Sequence, residues 1–189
     1  MAPSDPENSA LVRLFIGIAP DAATQRFLDA TAAHCRQLAL PRNLRWLSHS
    51  NRHLTLAFLG DTPETQLPVI EELLSGIARC TAPLQGTIVS THPFPKSRSK
   101  LLAAELLPNP ALMTLHARCG DLMRQIGKQP EGTTFRPHFT LARSRGGFSR
   151  LPPLQTEHQC NLDNIVLYQS LLAPGGSQYQ PLLRFPLDG

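Results

Sequence analysis

The chain is short of charge. Charged residues make up 17% of its 189 positions, against about a quarter in an ordinary globular domain. No stretch approaches the roughly 18 apolar residues that a membrane-spanning helix needs. The opening MAPSDPENSA has no basic or apolar region of the kind that begins a secretory signal, so a cytoplasmic protein is expected. Cysteine is sparse and scattered: Cys35, Cys80, Cys119 and Cys160 lie about forty residues apart. There is no Cys-x-x-Cys and no Cys/His group at zinc spacing, so reduced thiols acting as small hydrophobes are expected. The phosphate-cradling G-x-x-x-x-G-K-[ST] motif is also missing.

What the chain does contain is 41% hydrophobic residues and 18 prolines. The first argues for a packed core, and the second for many loop stops and no long helices. Of 18 cationic residues, 15 are arginine, the side chain better shaped for bidentate contact with phosphate. Residues 96–150 carry ten cations and three acids, a local net of +7, and the remainder nets −3. That segment is a candidate anion-facing surface. Lys96, Arg98 and Lys100 could follow an RNA backbone, and Arg136 could reach a phosphate.

Pattern and punctuation outline the elements. Residues 1–10 read as a disordered arm, and 11–189 as one folded domain. Arg13–Ala19 is strand-like. Asp21 caps a helix running to about Leu38. Strands are expected at Leu44–Leu47 and His53–Leu59, and Thr62-Pro63 opens a helical region that starts in earnest near Leu67. Strands at Leu84–Ser90 and Leu101–Leu106 precede a helix capped by Asn109-Pro110 and stopped by Gly127. Phe139–Ala142 and Ile165–Leu172 are the last clear strands. Gly146-Gly147, Pro152-Pro153 and Pro174-Gly175-Gly176 read as loops. Helix–strand–strand units occur twice, so the fold class is α+β with mostly antiparallel pairing.

The main clue is an internal repeat. His53-Leu54-Thr55-Leu56-Ala57-Phe58 and His138-Phe139-Thr140-Leu141-Ala142-Arg143 share His-x-Thr-Leu-Ala, 85 residues apart. On a strand, residues two apart share a face. Each motif therefore offers one imidazole beside one hydroxyl, with Leu54, Leu56, Phe139 and Leu141 turned to the core. If a pseudo-two-fold axis relates two lobes, the four polar side chains converge. Two histidines could then serve as acid and base on one reacting atom, and two hydroxyls could bond phosphate oxygens.

These paired motifs resemble the 2H phosphoesterase superfamily. Together with LFIGIAP, LRWLSHSNRHLTLAFLGD, FRPHFTLAR and LYQSLLAPGGSQYQPLLRFPL, they are similar to the bacterial RNA 2′,3′-cyclic phosphodiesterase (2′-5′ RNA ligase) family over nearly all of residues 12–187. The resemblance implies a bilobal α+β fold of two pseudo-symmetric lobes. Two antiparallel sheets would face a central cleft, with helices outside. It implies hydrolysis of RNA 2′,3′-cyclic phosphate ends to 2′-phosphates, with no metal and no other cofactor, by a protein expected to be a monomer.

Carried over residue by residue, the resemblance makes His53 the general acid and His138 the base. Thr55 and Thr140 would hold the phosphate, Arg143 would neutralise charge, and Phe58 would meet a nucleobase or pack in the core. Strict alternation conflicts with one of these roles, because it places Arg143 on the face opposite His138. Ligation through a 2′-5′ linkage would use the same residues. A non-catalytic RNA-binding module is the other alternative.

Overall fold

The computed structural model describes residues 9–96, 98–148 and 151–189. The expected arm, apart from Ser9 and Ala10, lies outside them, as does Arg150. Strand β1 (Leu11–Ile18) leads into helix α1 (Ala22–Arg36), whose N-terminus Asp21 caps by accepting from the Thr24 amide at 2.7 Å. Strand β2 (Leu44–Trp46) and a short 3-10 turn precede β3 (Leu54–Pro63), α2 (Leu67–Arg79), β4 (Leu84–Phe94) and β5 (Leu101–Leu106). Helix α3 (Pro110–Gln125), β6 (His138–Ser144), β7 (Leu154–Leu162), β8 (Asn164–Ala173) and β9 (Gly176–Pro186) complete the order. Asn109 caps α3 through the Leu112 amide at 2.9 Å.

Every pairing in the sheet is antiparallel. The path runs β7-β4-β5-β6-β3-β1-β8-β9, with β2 pairing β6 beside it. The two expected sheets are thus four-strand halves joined at the middle, where β3 meets β6 through a single pair, Leu54 with Phe139. The half containing β3 draws β8 and β9 from the far end of the chain, so the halves do not divide the sequence at its midpoint.

Two strands escape the sequence reading. β7 and β9 are the outermost strands of the path. An edge strand can stay polar and can hold a proline, as β9 does at Pro181. Thr62-Pro63 also departs from expectation: it ends β3 rather than opening a helix.

The core sits on one face of the sheet. Leu54, Leu56, Phe139 and Leu141 are buried there with Ile70 and Leu74 of α2 and Leu112, Leu115 and Cys119 of α3. Burying each such side chain contributes roughly 1.5–3 kcal/mol. The strands under both motifs are thereby anchored from behind, which leaves the opposite face free to carry polar groups. A smaller cluster of Phe15, Val166 and Tyr168, with Tyr179 packed against it, lies beside His53. Among the described residues, no helix is long and apolar enough to cross a membrane.

Candidate active site

The Leu54–Phe139 pair fixes the site. Extending that antiparallel register by one residue sets His53 across from Thr140 and Thr55 across from His138. Each histidine thus neighbours the other motif's threonine. Gly17 on β1 permits the approach, since a Cβ there would lie 2.8 Å from the Leu54 carbonyl oxygen and 3.6 Å from the His53 ring.

Both imidazoles are pinned in the same way. His53 Nδ1 lies 2.9 Å from the Asn51 carbonyl oxygen, and His138 Nδ1 lies 2.8 Å from that of Arg136. A carbonyl can only accept, so each Nδ1 carries hydrogen and donates. In the neutral ring that leaves the Nε2 lone pair as the reactive position.

Their surroundings differ. His53 sits among aromatic rings, with centroids at 4.6 Å for Phe15, 5.0 Å for Tyr179 and 5.6 Å for Tyr168. His138 stacks on Phe94 at 4.0 Å, and Phe94 also lies under the Arg136 guanidinium at 4.6 Å. Arg136 is held by Glu105, Nε to Oε1 at 2.7 Å and Nη2 to Oε2 at 2.9 Å, and His92 Nε2 reaches the same carboxylate at 2.7 Å.

Burial pushes the His53 pKa down to about 4, helped by the Arg143 and His138 charges and opposed by the Asn51 carbonyl. Burial also lowers that of His138. There the Arg136 carbonyl and Glu105 oppose the shift, while the Arg136 and Arg143 charges add to it. With no ligand bound, His53 is neutral at pH 7.

Strict alternation would place Arg143 on the face away from His138, but the register of β6 does not alternate strictly. The resolution is a β-bulge. Leu102 pairs with Ala142 and Ala103 with Thr140, so Leu141 is an extra residue without an opposite partner. One extra residue reverses the side-chain parity beyond it. The first motif repeats the device: Gly17 pairs with Thr55 and Ile16 with Ala57, leaving Leu56 as the extra residue. Phe58 consequently shares the His53 face, its ring 6.0 Å from that of Phe15, which also touches His53. The placement that strict alternation gives Arg143 is corrected accordingly: the register sets it on the face of His138 and Thr140, not behind them.

A cavity of about 320 Å³ opens beside Thr55 and His138, walled largely by Phe58, Phe94, Met123 and Phe135. Sequence reasoning missed the groups that hold the motifs from outside. Asn51 binds β9 by donating to Ser177 O at 3.0 Å and accepting from Tyr179 N at 3.1 Å. The buried Arg52 pairs with Asp29 of α1 at 2.7 Å. Nothing beyond their nearness to the motifs marked these residues.

The +7 segment does not form one free basic face. Arg136 is spent on Glu105, Arg124 on Asp121 at 2.6 Å and Arg118 on the Cys80 carbonyl at 2.6 Å. Among the described residues, no group of three or more His, Cys, Asp or Glu is placed to hold a metal ion.

An α+β antiparallel sheet that sets two His-x-Thr strands side by side is the architecture of the 2H phosphoesterases. The chain belongs to the 2′-5′ RNA ligase superfamily, whose model matches residues 20–168. It is 30% identical over 143 residues to the RNA 2′,3′-cyclic phosphodiesterase of Thermus thermophilus, covering 72% of each chain. The solved structure of TT0787 from that organism superposes with a TM-score of 0.83 at 26% identity, over 94% of this chain and 98% of that one. Escherichia coli LigT complexed with 3′-AMP superposes with a TM-score of 0.78 at 25% identity, over 95% of this chain and all of that one.

Proposed function

We propose that this protein hydrolyses RNA 2′,3′-cyclic phosphate ends to 2′-phosphates. The observation that carries the reading is the pair of histidines, each with Nδ1 tied to the carbonyl two residues before it and each set beside the other motif's threonine. The named activity of the Thermus thermophilus relative supports it.

In this reading the cyclic phosphate lies against the four side chains. The Thr55 and Thr140 hydroxyls donate to its non-bridging oxygens, and Arg143 balances the charge that grows on them. His138 Nε2 takes a proton from water as the water oxygen bonds to phosphorus. The bond from phosphorus to the 3′ oxygen breaks, and His53 delivers the proton from Nε2 to that oxygen. His138 ends protonated and His53 neutral, and exchange with solvent restores both.

His53 must arrive protonated although it is neutral in the free protein. The bound phosphate supplies the reason, since an anion at hydrogen-bond distance favours the charged imidazole. Phe58, half-exposed at the wall of the apolar cavity, takes the nucleobase. Both histidines come from one chain, so a monomer suffices.

The test is an oligoribonucleotide with a 2′,3′-cyclic phosphate end, incubated in EDTA. A 2′-phosphate product with a free 3′-hydroxyl is expected. A strict metal requirement, a 3′-phosphate product or binding without turnover would overturn the reading.

A further inference from the structure

A second cavity, about 590 Å³, is lined by Asn51 and Tyr179, the residues whose carbonyl and ring meet the His53 imidazole. It lies between β2 with its following turn and the β8–β9 hairpin, and is lined by Arg45, Trp46, Ser48, Asn51, Ser177 and Gln178, among others. The lining combines hydroxyls, amides and one guanidinium with Trp46, Leu171 and Pro181. A further depression shares Trp46 with it and is flanked by Arg36 and Arg42. Neither lining contains an aspartate or glutamate.

The groove is connected to the motif residues through its own lining. Arg45 is the cross-strand partner of Arg143, and the Asn51 carbonyl that pins His53 belongs to the same residue that lines the groove. Its floor is built to hold a cation. Arg45 donates from Nη2 to Ser177 O at 3.0 Å. Gly176, at a φ of 106°, leaves the space that guanidinium fills, and a Cβ there would overlap it. Farther out, Arg36 lies over the Trp46 indole at 4.5 Å. Arg45 therefore lines the cavity as the cross-strand neighbour of Arg143, and Arg42 and Arg36 flank the depression on the other side of Trp46.

We propose that this groove carries the sugar–phosphate backbone of the nucleotides preceding the cyclic end of a single-stranded RNA. The inference rests on the proposed activity for the identity of the end it leads away from. A cationic groove with interleaved aromatics is the recurring way to hold a single strand without reading its sequence. The hydroxyls and amides of the lining suit riboses and phosphates, whereas the apolar cavity beside Thr55 and His138 suits one base. The consequence is a preference for an oligonucleotide end over a free cyclic mononucleotide.

The experiment compares kcat/KM for a mononucleoside 2′,3′-cyclic phosphate and for an oligoribonucleotide ending in the same cyclic nucleotide. The proteins are wild type, Arg42→Gln and Arg36→Gln, both at exposed positions, with Arg45→Gln as a third. Wild type should favour the oligonucleotide by roughly tenfold or more. That advantage should fall with salt, with a log–log slope that drops by about 0.7 for each phosphate-contacting arginine lost. Mononucleotide turnover by Arg42→Gln and Arg36→Gln should stay at wild-type values.

Equal rates on both substrates in wild type, or variants that lose both activities together, would overturn the proposal. Anisotropy of a fluorescein-labelled, 3′-phosphorylated single strand gives a readout independent of turnover. If neither substrate is cleaved, the assigned activity fails. The groove then stands only if wild type binds the strand and the variants bind it more weakly, and falls if they bind alike.

Discussion

Leu56 of β3 and Leu141 of β6 are the same residue of the repeat, and each is the extra residue of a β-bulge that its neighbouring strand leaves unpaired. The bulges turn Phe58 and Arg143 onto the face of His53 and His138. One motif thereby places an aromatic ring, and the other a cation, at equivalent positions beside its histidine and threonine. An alternating strand could place the histidine and threonine but not the third group.

Arg143 should be felt by both imidazoles. Its charge lowers both pKa values, so Arg143→Met should raise both, by NMR titration of the ring protons. The same variant should weaken binding of inorganic phosphate. A change at only one histidine would contradict the shared position.

Glu105 works through Arg136. Its carboxylate holds that guanidinium over Phe94, which stacks on His138, and its charge favours the protonated ring. Glu105→Gln should therefore lower the His138 pKa further and lower kcat more than it changes KM. Glu105→Asp should recover part of the loss. An unaltered pH profile with reduced thermal stability alone would make Glu105 merely structural.

The pH dependence has a definite sign. The pKa values of both free imidazoles are depressed, and kcat/KM reports the free enzyme. Its bell should therefore peak below pH 6.5, the ordinary histidine value. Bound phosphate favours both charged forms, so the kcat profile should lie at higher pH than that of kcat/KM. A kcat/KM that rises steadily from pH 4 to 10 would count against the pair.

Acid stability follows from the same burial. His53 has a folded pKa of about 4 against about 6.5 unfolded. Below pH 6.5 the unfolded chain takes up a proton that the folded one resists. Stability from this residue is full above pH 6.5 and is lost as pH falls toward 4, by up to about 3 kcal/mol. Urea unfolding of His53→Gln should show a shallower loss across that window. Saturating phosphate should flatten the wild-type curve as well.

Much of this arrangement was open to reading from residues. Asp21 and Asn109 cap their helices because a short polar side chain before an apolar-periodic run has few other uses. The doubled His-x-Thr singled out the candidate site because two matched motifs point to one purpose. The bulges were hidden, since an extra residue is defined only by the strand opposite it. β7 and β9 were hidden because edge strands need not be apolar. Charge counting pointed to residues 96–150, yet Arg124 and Arg136 are paired with local carboxylates, whereas Arg36, Arg42 and Arg45 line depressions in the part that nets negative. Sequence proximity and spatial proximity part company wherever strands pair over a hundred residues.

The central claim is that His53 and His138 act as one acid–base unit on a cyclic phosphate. It is tested most directly by single-turnover rates on a 2′,3′-cyclic-phosphate oligonucleotide for wild type, His53→Ala, His138→Ala and the double variant, each verified as folded. Each single change should slow cleavage by about 10²–10⁴-fold. The double change should cost little more than the worse single one, because groups acting as a unit are not additive. Either single variant cleaving at near wild-type rate, or a double variant whose loss is the full product of the two, would contradict it.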